Sequence, residues 1–377
     1  MAEHKTILIA IHSLFLGDGK AVSGTGASLF DLLSSKKIPF TVLHFPIYGT
    51  YRILHEQYAS SGVQRYQMQK TPALLPLRTL IEAYIVLTAL VKTGKVSLYI
   101  GIDPLNALWG IVGRYAGLVN RVIYYTADYA DSRFGNRLLN GIYHCIDRFC
   151  IRHADQVWNV STRIFEHRVT QGVSKEKNYF VPNAPVGVHE GKDAHHAHWM
   201  VIVGTSTTSL NYEVVLDALV PLTKKYPDIR LHIIGELNFP KAIKNEITRW
   251  QRKKTVVLHG PLCREKVHEF LSTAGIGLAL YIDKDPWTRY GDSMKIREYL
   301  AAGLPVVTTG VVSTSDVIRE FRCGVVIRPA VSDFVRAIDS VYTGKYPAMR
   351  ERAVQAARAY SFERMVRKPL KAMGITV

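Results

Sequence analysis

The residues best suited to chemistry lie in one run near the C-terminal end, Asp292-Ser293-Met294-Lys295-Ile296-Arg297-Glu298-Tyr299-Leu300-Ala301-Ala302-Gly303-Leu304-Pro305-Val306-Val307. The pattern predicts a helix that starts near Ser293 and stops at Gly303, followed by a short apolar strand from Pro305 to Thr308. Ser293 can cap the helix, where open N–H groups and the positive end of the dipole favour an anion. Lys295 adds a formal charge in the first turn, and Glu298, three residues on, shares its face. A cation beside open amides suits a diphosphate. A carboxylate one turn further suits the hydroxyls of a ribose.

The elements that must hold this run alternate between strand and helix. Thr6 to Ile11 is an apolar run of buried-strand length, followed by a Gly/Ser-rich loop from Gly17 to Ser28. Phe40–Phe45, Val96–Ile102, Arg121–Thr126 and Gln156–Val160 read as further strands, with helices over Leu29–Ser35, Leu74–Val91 and Asn136–Arg152. The second half repeats the rhythm, with strands at Met200–Val203, Arg230–Ile234, Val256–His259, Ile276–Tyr281 and Val325–Ile327. Helices fall at Tyr212–Tyr226, Phe239–Lys253, Arg264–Ala274 and Ser332–Tyr342, and a last one runs from Ala348 to about Met373. Such alternation implies parallel βαβ units. Two prolines and a polar, His-rich stretch to His198 mark a linker. The expected organisation is an N-terminal domain over 1–185, a linker over 186–199, a second domain over 200–350 and a C-terminal helix over 351–377.

The run at 292–307 resembles the donor-binding signature of GT-B-fold glycosyltransferases, in which a Lys and a Glu before an Ala-Gly-x-Pro-Val-Val turn hold a nucleotide sugar. Ser293-Met294-Lys295 is most similar to the inverting glucuronosyltransferase of xanthan assembly and its relatives. The wider similarity is to the large, mostly retaining family 4. The segments His153–Ser161 and Tyr179–Asn183 resemble the end of that family's N-terminal domain. The resemblance implies an α/β GT-B architecture of two doubly wound, Rossmann-like domains. The ligand is expected in the cleft between them, at the carboxyl ends of the strands, and the final helix crosses back to the first domain. Retaining relatives carry a Glu eight residues before the equivalent of Glu298. This chain has Tyr290 there, so the Ser-Met-Lys type fits better.

Four loops are expected to converge on the donor. Gly204 and Thr205 leave the first strand of the second domain, where a glycine with hydroxyl residues allows close approach to phosphate. Gly235 looks like the family's strand-end glycine, and Gly260 sits where relatives contact the base through the backbone. The fourth is the helix with Ser293, Met294, Lys295 and Glu298, and Tyr281 before it can stack on base or sugar. An inverting transferase needs a base for the acceptor hydroxyl. Asp128, just past Arg121–Thr126, is the candidate, in a context similar to the aspartate of the inverting relatives, with Asp131 as the alternative. Asp103, at the end of another strand, and the glycine loop with Gly17 and Gly19 are expected on the acceptor side. Lys295 and the helix terminus stabilise the leaving diphosphate. No cofactor and no obligatory metal is expected, and His189, His195, His196 and His198 form no zinc pattern.

A chain of 377 residues suits two domains, and 47% hydrophobic with 21% charged residues is globular. Cys145, Cys150, Cys263 and Cys323 show no CxxC pair and read as reduced thiols in a cytoplasmic protein. No signal peptide and no transmembrane run is apparent. The net charge of +17 favours anionic partners. Arg133, Arg137, Arg148 and Arg152 beside Leu138, Ile142, Ile146 and Phe149 form an interfacial pattern, which points to an anionic membrane surface on the cytoplasmic side. No nucleic-acid motif is present, and the basic residues are spread out. The expected function is transfer from a nucleotide diphosphate sugar, UDP favoured, to a glycan or lipid-linked acceptor. A sugar-nucleotide epimerase on the same fold and a retaining family 4-type transferase are the alternatives.

Overall fold

The computed structural model describes residues 6–15, 21–22, 24–47, 52–72, 74–188, 196–204, 209–236 and 238–377. The chain divides into two compact units, one of residues 1–186 and 365–377, the other of residues 187–364.

The first unit runs through β1 (Ile7–Phe15), β2 (Ala21–Val22), α1 (Ala27–Ser35), β3 (Phe40–Pro46), β4 (Arg52–Ala59), β5 (Gly62–Lys70) and α2 (Leu75–Thr93). It continues with β6 (Val96–Ile102), α3 (Pro104–Tyr115), β7 (Val119–Thr126), α4 (Arg137–His153), β8 (Gln156–Asn159), α5 (Thr162–Thr170) and β9 (Asn178–Phe180). The strands form one sheet in the order β5-β4-β3-β1-β6-β7-β8-β9, with β2 beside β1. From β3 to β9 across β1 every pairing is parallel. Central strands covered on both faces are continuous apolar runs, as Ile7 to Ile11 is. Gly101 permits the close seating of α3 on β6, since a Cβ there would overlap the backbone of Ala107.

The antiparallel hairpin β4–β5, which extends β3, was not legible as strands. β5 is exposed along almost its whole length, so it carries no apolar alternation to read. β4 buries Glu56 as well as Ile53 and Leu54. Glu56 is satisfied there by His44, Arg65 and Tyr58.

The second unit holds β10 (Trp199–Val203), α6 (Tyr212–Lys225), β11 (Arg230–Ile234), α7 (Lys241–Arg252), β12 (Val256–Gly260), α8 (Arg264–Leu271) and β13 (Ile276–Ala279). Then come α9 (Met294–Ala301), β14 (Val306–Thr309), α10 (Thr314–Phe321), β15 (Gly324–Ile327), α11 (Val331–Ser340) and α12 (Tyr346–Ala359). Its sheet has the order β12-β11-β10-β13-β14-β15, all parallel. One apolar cluster packs Leu216, Leu219, Trp250 and Phe334 against it, and another packs Leu271, Tyr299, Leu300 and Ala353. Each fully buried side chain of this size is worth about 1.5–3 kcal/mol.

The single last helix expected from Ala348 is two helices, α12 and α13 (Phe362–Ala372), broken at Tyr360 and Ser361. From Met365 onward the chain belongs to the first unit, where Gln156 Nε2 donates to the Pro369 carbonyl at 3.1 Å.

Candidate active site

In the second unit the candidate donor residues gather at the carboxyl ends of adjacent strands. Gly204 N–H donates to the Ile234 carbonyl at 2.9 Å, and Gly235 N–H donates to the Gly260 carbonyl at 2.8 Å. Gly235 has φ +136°, and a Cβ there would overlap the Gly204 carbonyl. Only glycine lets these two strand ends approach so closely. A Cβ on Gly204 would overlap the Lys295 side chain, so the lysine stem lies directly over this glycine.

The start of α9 is built from buried polar contacts. Ser293 Oγ accepts from Ile296 N–H at 3.3 Å and lies 2.7 Å from Tyr281 Oη. Ser293 N–H donates to Thr314 Oγ1, which donates in turn to Asp292 Oδ1 at 2.8 Å. Asp292 also pairs with Arg297 at 2.9 Å, and both side chains are buried. One turn into the helix, Val203 N–H donates to Tyr299 Oη at 2.8 Å, which ties α9 to the end of β10. Lys295 Nζ sits 5.8 Å from the centre of the Tyr281 ring. With the Ile296 amide taken by Ser293 Oγ, the Met294 and Lys295 amides are those of the first turn that precede any intrahelical bond, and with the Lys295 side chain they form one electropositive edge. Burial pushes the half-buried Glu298 carboxyl above its usual range, against the pull of Arg264 and Lys295.

In the first unit the carboxylates form a second cluster. Asp128 follows β7 and pairs with Arg133. The surrounding loop is held in place: His144 Nε2 lies 2.9 Å from the Asp131 carbonyl, Asn140 Nδ2 donates to the Phe134 carbonyl, and buried Tyr129 lies 2.9 Å from His167 Nε2. Asp103 follows β6 with φ +76°, a conformation rare outside glycine. Its carboxyl is pushed up to about 6, first by burial and then by Asp128, against Arg133, His12 and the Ala127 N–H. His12 completes the group. Asn106 Nδ2 donates to its Nδ1 at 3.0 Å and to the Ile102 carbonyl, which leaves the proton on Nε2, 3.2 Å from buried Glu82.

The structure thus brings together Gly204, Gly235, Gly260, Tyr281, Ser293, Lys295 and Glu298 in one unit, with Met294 as the first residue of α9. Asp103 and Asp128 come together in the other unit. Gly17, Gly19 and Thr205 lie outside the described residues. Asp131 is exposed. Sequence reasoning missed Arg264, the first residue of α8 after the turn at Gly260. It missed Thr314, which lies 21 residues from its partner Ser293, and Tyr299, whose hydroxyl role is invisible in an apolar stripe. Arg133 was read as part of a basic helix; α4 begins only at Arg137, and Arg133 turns to Asp128 instead.

Residues 195–360 match the family Glycosyl transferases group 1. No curated protein matches the chain by sequence. Among solved structures, sucrose-phosphate synthase from Thermosynechococcus elongatus superposes with a TM-score of 0.69 at 13% identity, over 98% of both chains. Anabaena HepE in complex with UDP gives 0.68 at 14% identity, over 98% of this chain and 99% of that one. WaaG, a glycosyltransferase involved in lipopolysaccharide biosynthesis, gives 0.64 at 14% identity over 98% and 99%. Against a chain of the GtfA/B complex, this chain spans 63% of the other's length. The fold is GT-B, and the matched domain together with that fold indicates a glycosyltransferase.

Proposed function

We propose that the chain transfers a sugar from a nucleotide diphosphate sugar, with UDP as the favoured nucleotide, to a hydroxyl of a glycan or lipid-linked acceptor, with inversion. The observation that carries this reading is the placement of Lys295 over Gly204, at glycine-ended strand tips, beside the capped and tyrosine-pinned start of α9. The Lys295 side chain and the amides of Met294 and Lys295 bind the diphosphate and stabilise the charge that develops as it leaves, without an obligatory metal. Glu298 receives the ribose hydroxyls, Gly235 and Gly260 let the nucleotide lie against the backbone, and Tyr281 stacks on base or sugar. The absence of a glutamate at Tyr290 and the Ser293-Met294-Lys295 run, similar to the xanthan-type inverting enzymes, support inversion. The UDP held by HepE supports the choice of nucleotide.

Asp128 of the first unit takes the acceptor proton, and Asp103 serves the acceptor side. A peripheral seat on an anionic, cytoplasmic membrane surface fits the exposed Leu138 and Ile142 on α4 beside exposed Arg137, Arg148 and Arg152. Among the described residues no helix is long and apolar enough to cross a membrane.

Thermal shift against UDP, GDP, ADP and their common sugars, on wild type and Lys295→Ala, tests the reading. A rise in Tm with one nucleotide that the variant loses supports it, and the same plate ranks the sugars. No shift with any nucleotide would count against it. Interconversion of the sugar nucleotide without an added acceptor would point to an epimerase instead.

A further inference from the structure

Three helices of the first unit expose apolar surface that the packing of the unit itself does not use. Right-handed crossovers put α2, α3 and α4 on one face of the sheet, and α3 packs between the other two. Of the large apolar side chains that stand exposed among the described residues, half lie on these helices. On α2, Leu77, Leu80, Tyr84 and Val91 follow the helical period along the outward side. Leu80 is 65% exposed and Tyr84 66%, and the stripe runs for about 21 Å. Beside it α3 exposes Val112 and Tyr115, and α4 exposes Leu138 and Ile142. A continuous apolar surface of this kind marks an interaction site.

The charges name the partner. The only carboxylates on the three helices, Glu82 and Asp147, are both buried. The cations Lys92, Arg137, Arg148 and Arg152 are all exposed. An outward face of apolar residues and cations, with no exposed carboxylate on its helices, complements an anionic lipid surface. The two kinds of residue are also sorted along the helices. A helix that links parallel strands runs back against them, so the first turns of α2 and α4 lie at the carboxyl end of the sheet, as Asp103 and Asp128 do. Leu77 and Leu80 crowd toward that end on α2, and Leu138 and Ile142 on α4, while Lys92, Arg148 and Arg152 lie toward the other.

We propose that α2, together with the first turns of α4, forms an apolar wedge that enters the headgroup region of an anionic bilayer, so that the carboxyl end of the first-unit sheet faces the lipid. The wedge rests on the membrane seat proposed above and extends it. α2 supplies the larger apolar contact, and the arginines of α4 supply the attraction.

The test uses the full chain and vesicles of equal parts phosphatidylcholine and phosphatidylglycerol in low salt. An environment-sensitive fluorophore is attached at Tyr84→Cys and, as a control, at Ser34→Cys on α1. That helix steps the sheet in the opposite direction and so lies on its other face. Both proteins also carry Cys145→Ser and Cys263→Ser, which remove the exposed native thiols. On addition of vesicles the label at position 84 should shift to the blue and be quenched by spin-labelled lipid tails, and the label at position 34 should do neither. The double variant Leu80→Glu, Tyr84→Glu should bind vesicles at least about tenfold more weakly, with Tm and UDP affinity as in wild type. Vesicle binding with the label at position 84 still in water, or with the double variant bound as tightly as wild type, would overturn the wedge and leave the seat on α4. No vesicle binding by wild type would overturn the seat and the wedge together. Self-association of wild type in the ultracentrifuge, abolished in the double variant and without vesicle binding, would give the stripe to a second copy of the chain and overturn the proposal.

Discussion

Asp103 illustrates the conflict between function and stability at a single residue. Its folded value of about 6 lies above the ordinary aspartate range, so the fold loses stability as pH rises through that window and keeps the loss above it. The loss is on the order of 2–3 kcal/mol at pH 7. Asp103→Asn is therefore expected to melt higher than wild type at pH 7.5, with the gap closing below pH 4; an equal or lower Tm at pH 7.5 would sink this reading of the site. Glu56 is the opposite case. Burial pushes it up, but hydrogen bonds from His44, Arg65 and Tyr58 outweigh that and hold it at about 2. Its contribution is present above the ordinary carboxylate range and is lost as pH falls toward 2. At this scale Lys295, Ser293 and Glu298 were legible because charge and capping chemistry are local. The Asp103 environment was not, because it depends on four elements that meet only in the fold.

At the scale of elements, α9 is held at its first turn by the Ser293 cap and at its centre by Tyr299. Ser293→Ala removes both the cap and the Tyr281 contact and should cost about 1 kcal/mol, together with a measurable loss of nucleotide affinity; unchanged calorimetry for both would contradict the description of this turn. Behind the first-unit site, Arg168 and Asp147 form a fully buried pair between α5 and α4, joined by the Tyr124 hydroxyl on β7. Asp147→Ala leaves a buried guanidinium uncompensated and is expected to destabilise the protein by about 3–5 kcal/mol, read by chemical denaturation. The strand–helix rhythm made the parallel sheets and most helices legible. The β4–β5 hairpin escaped because an exposed strand leaves no apolar period, and Thr314 escaped because it joins Ser293 only through tertiary contact.

For the whole molecule, the net charge of +17 and the apolar residues exposed on α4 bear on where the enzyme works. Leu138 is 71% exposed and Ile142 48% exposed, among arginines that also face solvent. Vesicles containing anionic lipid should co-sediment with the protein in low salt and release it in high salt. The double variant Leu138→Glu, Ile142→Glu should bind them several-fold more weakly; equal binding to neutral and anionic vesicles would remove the membrane from the account.

On the proposed function, the second unit holds a nucleoside diphosphate at Lys295. Isothermal titration of UDP into wild type and Lys295→Ala tests it most directly. Saturable one-to-one binding that weakens at least about tenfold in the variant, equivalent to the loss of a charge-assisted contact of about 1.4 kcal/mol, is the expected result. Equal affinity in the two proteins, or no binding to wild type, would contradict it.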